Sequence, residues 1–277
     1  MRRVAVLTAL PALALVAASF AQPASARSRG ASVARPGGRT VIRVATNQSG
    51  NWSGYNQGTL EQADHKQFKA VAGDWTVPKA SQHKAKEAEF SSTWIGIGGG
   101  CIDAGCTATD STLIQAGTEQ DVDATGKASY SSWWEIIPEP STPITTLTIS
   151  PGDHMHVTIA EGTPGMWTIT VADLTTKKSF TTTTPYSSSH LTAEWIVETP
   201  VVIGSGGTAG VAPLPNLSRV FMDKSIVNGK PALLKSSEEL QLASNGTVLA
   251  TPSAPDRDTD GFNDCVYATT CAAPASS

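Results

Sequence analysis

Turn-forming residues recur along this chain at intervals too short for helices, and many of the stretches between them alternate apolar and polar side chains. This is the strongest limit on the fold. A two-residue repeat buries one side of a strand, whereas a helix needs apolar residues every three or four positions. Alternation runs through 145–149, 154–159 and 166–171, where Trp167, Ile169 and Val171 would share one face. Residues 173–178 then read as a turn into 179–184, which predicts a hairpin. Further strands are expected at 93–97, 112–116, 131–137, 193–197, 220–222 and 240–242, and only 80–90 hints at a helical period. Many short strands with frequent turns predict an all-β sandwich or barrel. No fixed-period repeat or linker divides residues 47–277, which are expected to form one domain.

The start of the chain has a different character. Arg2 and Arg3 precede an apolar run over 4–20 broken by Pro11, and Ala24-Ser25-Ala26 follows as a small-x-small cleavage pattern. This predicts a signal peptide over 1–26 and a secreted, extracellular product. A membrane anchor is the rival reading, but the run is short for a span, so no membrane is expected as a partner after cleavage. Residues 27–46 carry Arg27, Arg29, Arg35, Arg39 and Arg43 and no acid. They predict an Arg-rich propeptide or flexible leader with little apolar surface to pack.

The chain has 20 Lys and Arg, and 7 of these are Arg within residues 1–46. The remainder therefore sets 13 basic against 24 acidic residues, a net charge of −11. An acidic body argues against nucleic acid as a partner and suits acid surroundings. Its opposite charge suggests that the leader restrains the domain. The four cysteines fall in close pairs, Cys101 with Cys106 and Cys265 with Cys271. Two local disulfides are expected in an exported chain, with a four-cysteine zinc site as the rival.

Several chemistries lack their motifs. There is no His-Glu-x-x-His, no Gly-x-Ser-x-Gly, and neither Asp-Thr-Gly nor Asp-Ser-Gly. Gly96 to Gly100 is glycine-rich but leads into Cys101 and no helix, so it is not expected to cradle phosphate. His154 and His156 would face one way, without an evident third ligand. Asp256-Arg257-Asp258-Thr259-Asp260-Gly261 resembles the start of a calcium loop, but Tyr267 stands where the closing Glu would be. An acidic turn is the expectation there, and no metal or other cofactor is assigned.

What remains is a series of aromatic segments carrying amides and carboxylates. They are Asn51-Trp52-Ser53-Gly54-Tyr55, Asp74-Trp75-Thr76-Val77-Pro78, Thr93-Trp94-Ile95-Gly96-Ile97-Gly98, Leu113-Ile114-Gln115-Ala116-Gly117, Tyr130-Ser131-Ser132-Trp133-Trp134-Glu135 and Ala193-Glu194-Trp195-Ile196-Val197-Glu198. Read singly, each is ordinary strand packing with a polar outer face. Together and in order, they resemble the eqolisins, the glutamic peptidases, and Asp173-Leu174-Thr175-Thr176 in the hairpin matches as well.

The resemblance implies a β-sandwich of two large antiparallel sheets, of concanavalin-like jelly-roll type. It also implies an endopeptidase that works in acid, insensitive to pepstatin, acting on polypeptides and expected as a monomer. Gln115 and Glu198 match the catalytic pair, and Trp94, Glu119, Trp133 and Glu135 the supporting or substrate-binding positions. Glu119 is longer than the family's acid, and Gly98 stands where the family often has Asp. Hydrolysis in acid needs a base that stays ionised there, which a carboxylate does and an imidazole does not. Pattern alone leaves Glu194 and Glu198 on one strand face, about 13 Å apart, and only the resemblance selects Glu198. A binding module without catalysis is the alternative, for carbohydrate or protein.

Overall fold

A computed structural model describes residues 40–203 and 207–275. The expected signal peptide and residues 27–39 of the expected leader lie outside them. The principal strands are β1 (Arg43–Ala45), β2 (Gln48–Ser49), β3 (Trp52–Gly58), β4 (Ala70–Thr76), β5 (Ser92–Gly98), β6 (Leu113–Val122), β7 (Ala128–Ile136) and β8 (His154–Glu161). They continue with β9 (Met166–Asp173), β10 (Lys178–Pro185), β11 (Thr192–Glu198), β12 (Val220–Val227), β13 (Glu239–Ser244), β14 (Thr247–Pro252) and β15 (Phe262–Val266).

One antiparallel sheet runs β10-β9-β8-β4-β12-β15-β14-β13. The other runs β13-β3-β11-β5-β6-β7. β13 serves both: Glu239 and Leu240 pair with β3, and Leu242 to Ser244 pair with β14. The first sheet sends Val71, Trp75, Met155, Val157, Trp167, Ile169 and Met222 into the core, and the second sends Tyr55, Ile95, Ile114, Ala193, Trp195 and Val197. This is the expected two-sheet sandwich, its inner faces apolar because alternate residues of each strand point that way.

The expected hairpin forms from β9 and β10, and the disulfides Cys101–Cys106 and Cys265–Cys271 are both made. Two expectations differ. Residues 145–149 form no strand: Thr145 and Thr146 sit in a turn, yet Leu147 and Ile149 are buried in the core. Alternation there records alternate burial of an extended segment, without a partner ladder. Residues 80–90 form no helix; they hold a two-residue strand and turns. The described part of the expected leader contributes β1, paired to β2, and a buried Val41.

Candidate active site

On β11, Ala193, Trp195 and Val197 face the inter-sheet core, so Thr192, Glu194, Ile196 and Glu198 face outward. The ladders carry this outer face across the sheet. Glu198 stands opposite Trp52 and Ser92, and Ser92 opposite Glu119, which stands opposite Ser131. Ile196 stands opposite Trp94, then Gly117, then Trp133. Glu194 stands opposite Gly96, then Gln115, then Glu135. All six positions expected at the site thus lie on one face.

Gln115 Nε2 donates to Glu135 Oε2 at 2.5 Å, and both residues are buried. An amide carries two N–H groups, so this bond fixes its orientation and leaves a second donor. The Gln115 Oε1 has no protein partner. Trp94 Nε1 donates to Glu198 Oε2 at 2.8 Å, also under burial. Ser131 Oγ donates to Glu119 Oε2 at 2.8 Å. Trp94, whose role as core or site residue the sequence leaves open, therefore serves the outer face. It shares a cluster there with Trp52, Leu113, Trp133 and Val41.

Glycine makes this packing possible at Gly117. A Cβ there would lie 2.5 Å from the Trp94 Cβ and 2.2 Å from the Thr93 carbonyl oxygen. The indole instead extends over Gly96, whose added Cβ would meet Trp94 Cζ3 at 2.9 Å. Trp94 thus spans from the level of Glu198 toward that of Gln115. The backbones of Gln115 and Glu198 are two strands across and four residues along, about 10 Å by about 13 Å.

By level alone, Glu194 is the carboxylate nearer to Gln115. Its surroundings separate the two. Glu194 is fully buried and turned toward Asn56 and Gly100, where a Cβ on Gly100 would meet Glu194 Oε1 at 2.6 Å. Burial, reinforced by Asp110, holds its carboxyl well above the ordinary range. Burial thus favours the neutral acid at Glu194, whereas Glu198 accepts the Trp94 indole N–H.

Gly98, the expected departure from the motif, has φ +94°. An added Cβ would stand 2.1 Å from the Thr112 carbonyl oxygen. The backbone is shaped for glycine, so a side chain at 98 is excluded without rebuilding the 98–112 connection.

Trp52 is the residue that the sequence placed in a motif without giving it a role. It lies edge-on to Trp94 at 4.9 Å between ring centroids and stands opposite Glu198. The Nε1 atoms of Trp52 and Trp133 are buried without protein acceptors. Its motif, Asn-Trp-Ser-Gly, was the available signal. His154 and His156 serve no such face: with Lys224 they surround Asp74, whose oxygens lie 3.3, 2.5 and 2.9 Å from them. Burial alone would raise Asp74, but the His156 and Lys224 hydrogen bonds prevail and hold it below its usual range.

The model of the Peptidase A4 family matches residues 50–260, which include every strand of this face. The chain belongs to the Peptidase A4 family. Among A4 relatives, it is 28% identical over 154 residues to aspergillopepsin-2 of Aspergillus niger, covering 47% of this chain and 51% of that protein. It is 30% identical over 135 residues to scytalidopepsin B of Scytalidium lignicola, covering 47% and 46%. The matches thus span about half the length of these relatives. In fold it is similar to scytalido-glutamic peptidase bound to a transition-state analog inhibitor, with a TM-score of 0.60 and 20% identity over 78% of this chain and 98% of that one. Aspergilloglutamic peptidase from Aspergillus niger gives 0.51 and 24% over 64% and 99%. No helix among the described residues is long and apolar enough to cross a membrane.

Proposed function

We propose that this chain is a glutamic endopeptidase acting on polypeptides in acid, with Glu198 as general base and Gln115 as oxyanion donor. One observation carries the reading: a buried amide and a buried carboxylate share one sheet face, each held by a dedicated partner, Glu135 for Gln115 and Trp94 for Glu198. Glu198 takes a proton from water as that water's oxygen bonds to the scissile carbonyl carbon. The second N–H of Gln115 donates to the carbonyl oxygen as it becomes anionic. Protonated Glu198 then passes its proton to the departing amine as the C–N bond breaks, which restores the carboxylate. Glu135 orients the amide, Glu119 and Ser131 flank the base end, and the three Trp residues exclude water.

Secretion through the 1–26 segment belongs to the same reading, as does restraint by residues 27–46. Val41 supports the latter, because it is buried in the cluster that holds Trp52, Trp94 and Trp133. Burial of these indoles also speaks against a carbohydrate-binding module with exposed Trp platforms.

The test is cleavage of a denatured protein between pH 2 and 7, with and without pepstatin. Cleavage peaking in acid and unaffected by pepstatin is expected. Absence of cleavage at every pH by correctly folded protein lacking residues 1–46 would refute the reading. Faster cleavage without residues 27–46 is the outcome expected of a restraining leader.

A further inference from the structure

In the other sheet, the connection between β14 and β15 brings acidic groups together. Asp256 and Asp260 lie on this loop, and Asp223 lies on β12. One carboxylate oxygen from each comes within 4.8 Å of the others. Gly261 marks their meeting point: an added Cβ there would lie 2.5 Å from Asp256 Oδ2 and 3.0 Å from Asp223 Oδ1.

Asp256 is the informative member. It is 6% exposed. Its Oδ1 accepts the backbone N–H groups of Asp260 and Gly261 at 3.2 and 3.1 Å. Its Oδ2 is buried, has no hydrogen-bond partner, and points at the other two carboxylates. A buried carboxyl aimed at further carboxyls is costly to ionise unless a cation joins them. The Lys224 amine bonds Asp74 at 2.9 Å, and its backbone N–H donates to Asp223 Oδ1 at 2.8 Å.

We propose that Asp223, Asp256 and Asp260, with Asp258 on the open side, form a calcium site that ties the β14–β15 connection to β12. The dimensions suit this ion. Calcium binds oxygens at 2.3–2.6 Å, so two of its ligands lie at most about 5 Å apart. Magnesium, at about 2.0–2.1 Å, demands a stricter octahedron. An all-carboxylate set favours a hard cation over zinc or copper. The distal acid is supplied by Asp223, about thirty residues upstream, and not by the twelfth loop position, which is Tyr267. This explains why the loop reads as incomplete in sequence.

The test is thermal unfolding at pH 7 of chelator-treated protein, with calcium chloride or magnesium chloride added. Calcium at a hundredfold excess over its dissociation constant is expected to raise Tm by roughly 5–10 °C, and magnesium by much less. Asp258→Asn and Asp260→Asn, on the partly exposed side, should fold and lose most of the calcium shift. Terbium luminescence titrated with calcium gives a second readout that does not depend on stability. No calcium shift in the wild type, or an equal shift in Asp260→Asn, overturns the site. Equal shifts with magnesium overturn its assignment to calcium. Proteolysis enters neither measurement, so the outcome is independent of the proposed activity.

Discussion

The two faces of the β3-β11-β5-β6-β7 sheet handle the same residue type in opposite ways. On the inner face, Trp195 donates its indole N–H to the Ala72 carbonyl oxygen at 2.8 Å, and Trp75, from the facing sheet, donates to Thr118 Oγ1 at 3.0 Å. On the outer face, Trp94 donates to a carboxylate, while Trp52 and Trp133 have no acceptor and Gln115 Oε1 has no donor. A buried polar atom left without a partner costs about 1–3 kcal/mol. The inner face pairs its indoles within the protein and the outer face leaves two of three unpaired, in keeping with the proposed substrate chemistry there.

The sharpest way to break this contrast is on β11 itself. Glu198→Gln is expected to lower kcat by roughly 10³–10⁴-fold while Tm stays within a few degrees. Glu194→Gln, on the same face, should leave kcat within a few-fold and raise stability increasingly as pH climbs. If Glu194→Gln abolishes cleavage and Glu198→Gln does not, the assignments of these two residues are reversed. Crossing to the inner face should exchange the phenotype. Trp195→Ala is expected to lose about 3–5 kcal/mol of stability by denaturant titration, with kcat per folded molecule retained. Gln115→Ala returns to the outer face and should lower kcat about 10²–10³-fold, the loss of one oxyanion donor, with KM little changed.

A smaller effect sharpens the contrast through pH. Burial pushes the Asp264 carboxyl up to about 7 and raises Glu194 as well, both above their unfolded values near 4. Raised groups give stability that is complete below the unfolded pKa and is lost as pH climbs through the folded one. Asp74, held low, acts in the opposite sense and withdraws stability as pH falls below about 4. Stability should therefore be greatest near pH 4–5 and about 2–4 kcal/mol lower at pH 8, with Asp264→Asn flattening that slope. Denaturant midpoints at the two pH values measure it.

The sandwich was legible because strands such as Met166–Asp173 alternate cleanly, with a buried residue at every second position. β3 was harder: its Trp-Ser-Gly-Tyr-Asn-Gln-Gly sequence has two glycines and an asparagine, and both of its faces are buried. The site residues were legible only as motifs. Nothing in local pattern separates Glu194 from Glu198, because the difference lies in what each meets across the sheet: Asn56 and Gly100 for one, Trp94 for the other. The acidic cluster failed in sequence for the same reason, since Asp223 joins it only through the pairing of β12 with β15.

The position of β11 has a consequence for how the molecule comes into being. It lies between β3 and β5, both completed by residue 98, yet it begins only at Thr192. Until that strand inserts, the ladders that join β3 to β5 through it are absent. Such distant pairing slows folding, because a long stretch of chain must be ordered before the contact rewards it. The insertion that closes the core is also the one that delivers Glu198. Under the proposed mechanism, a partly folded chain that has yet to make this step is unable to cut its own kind.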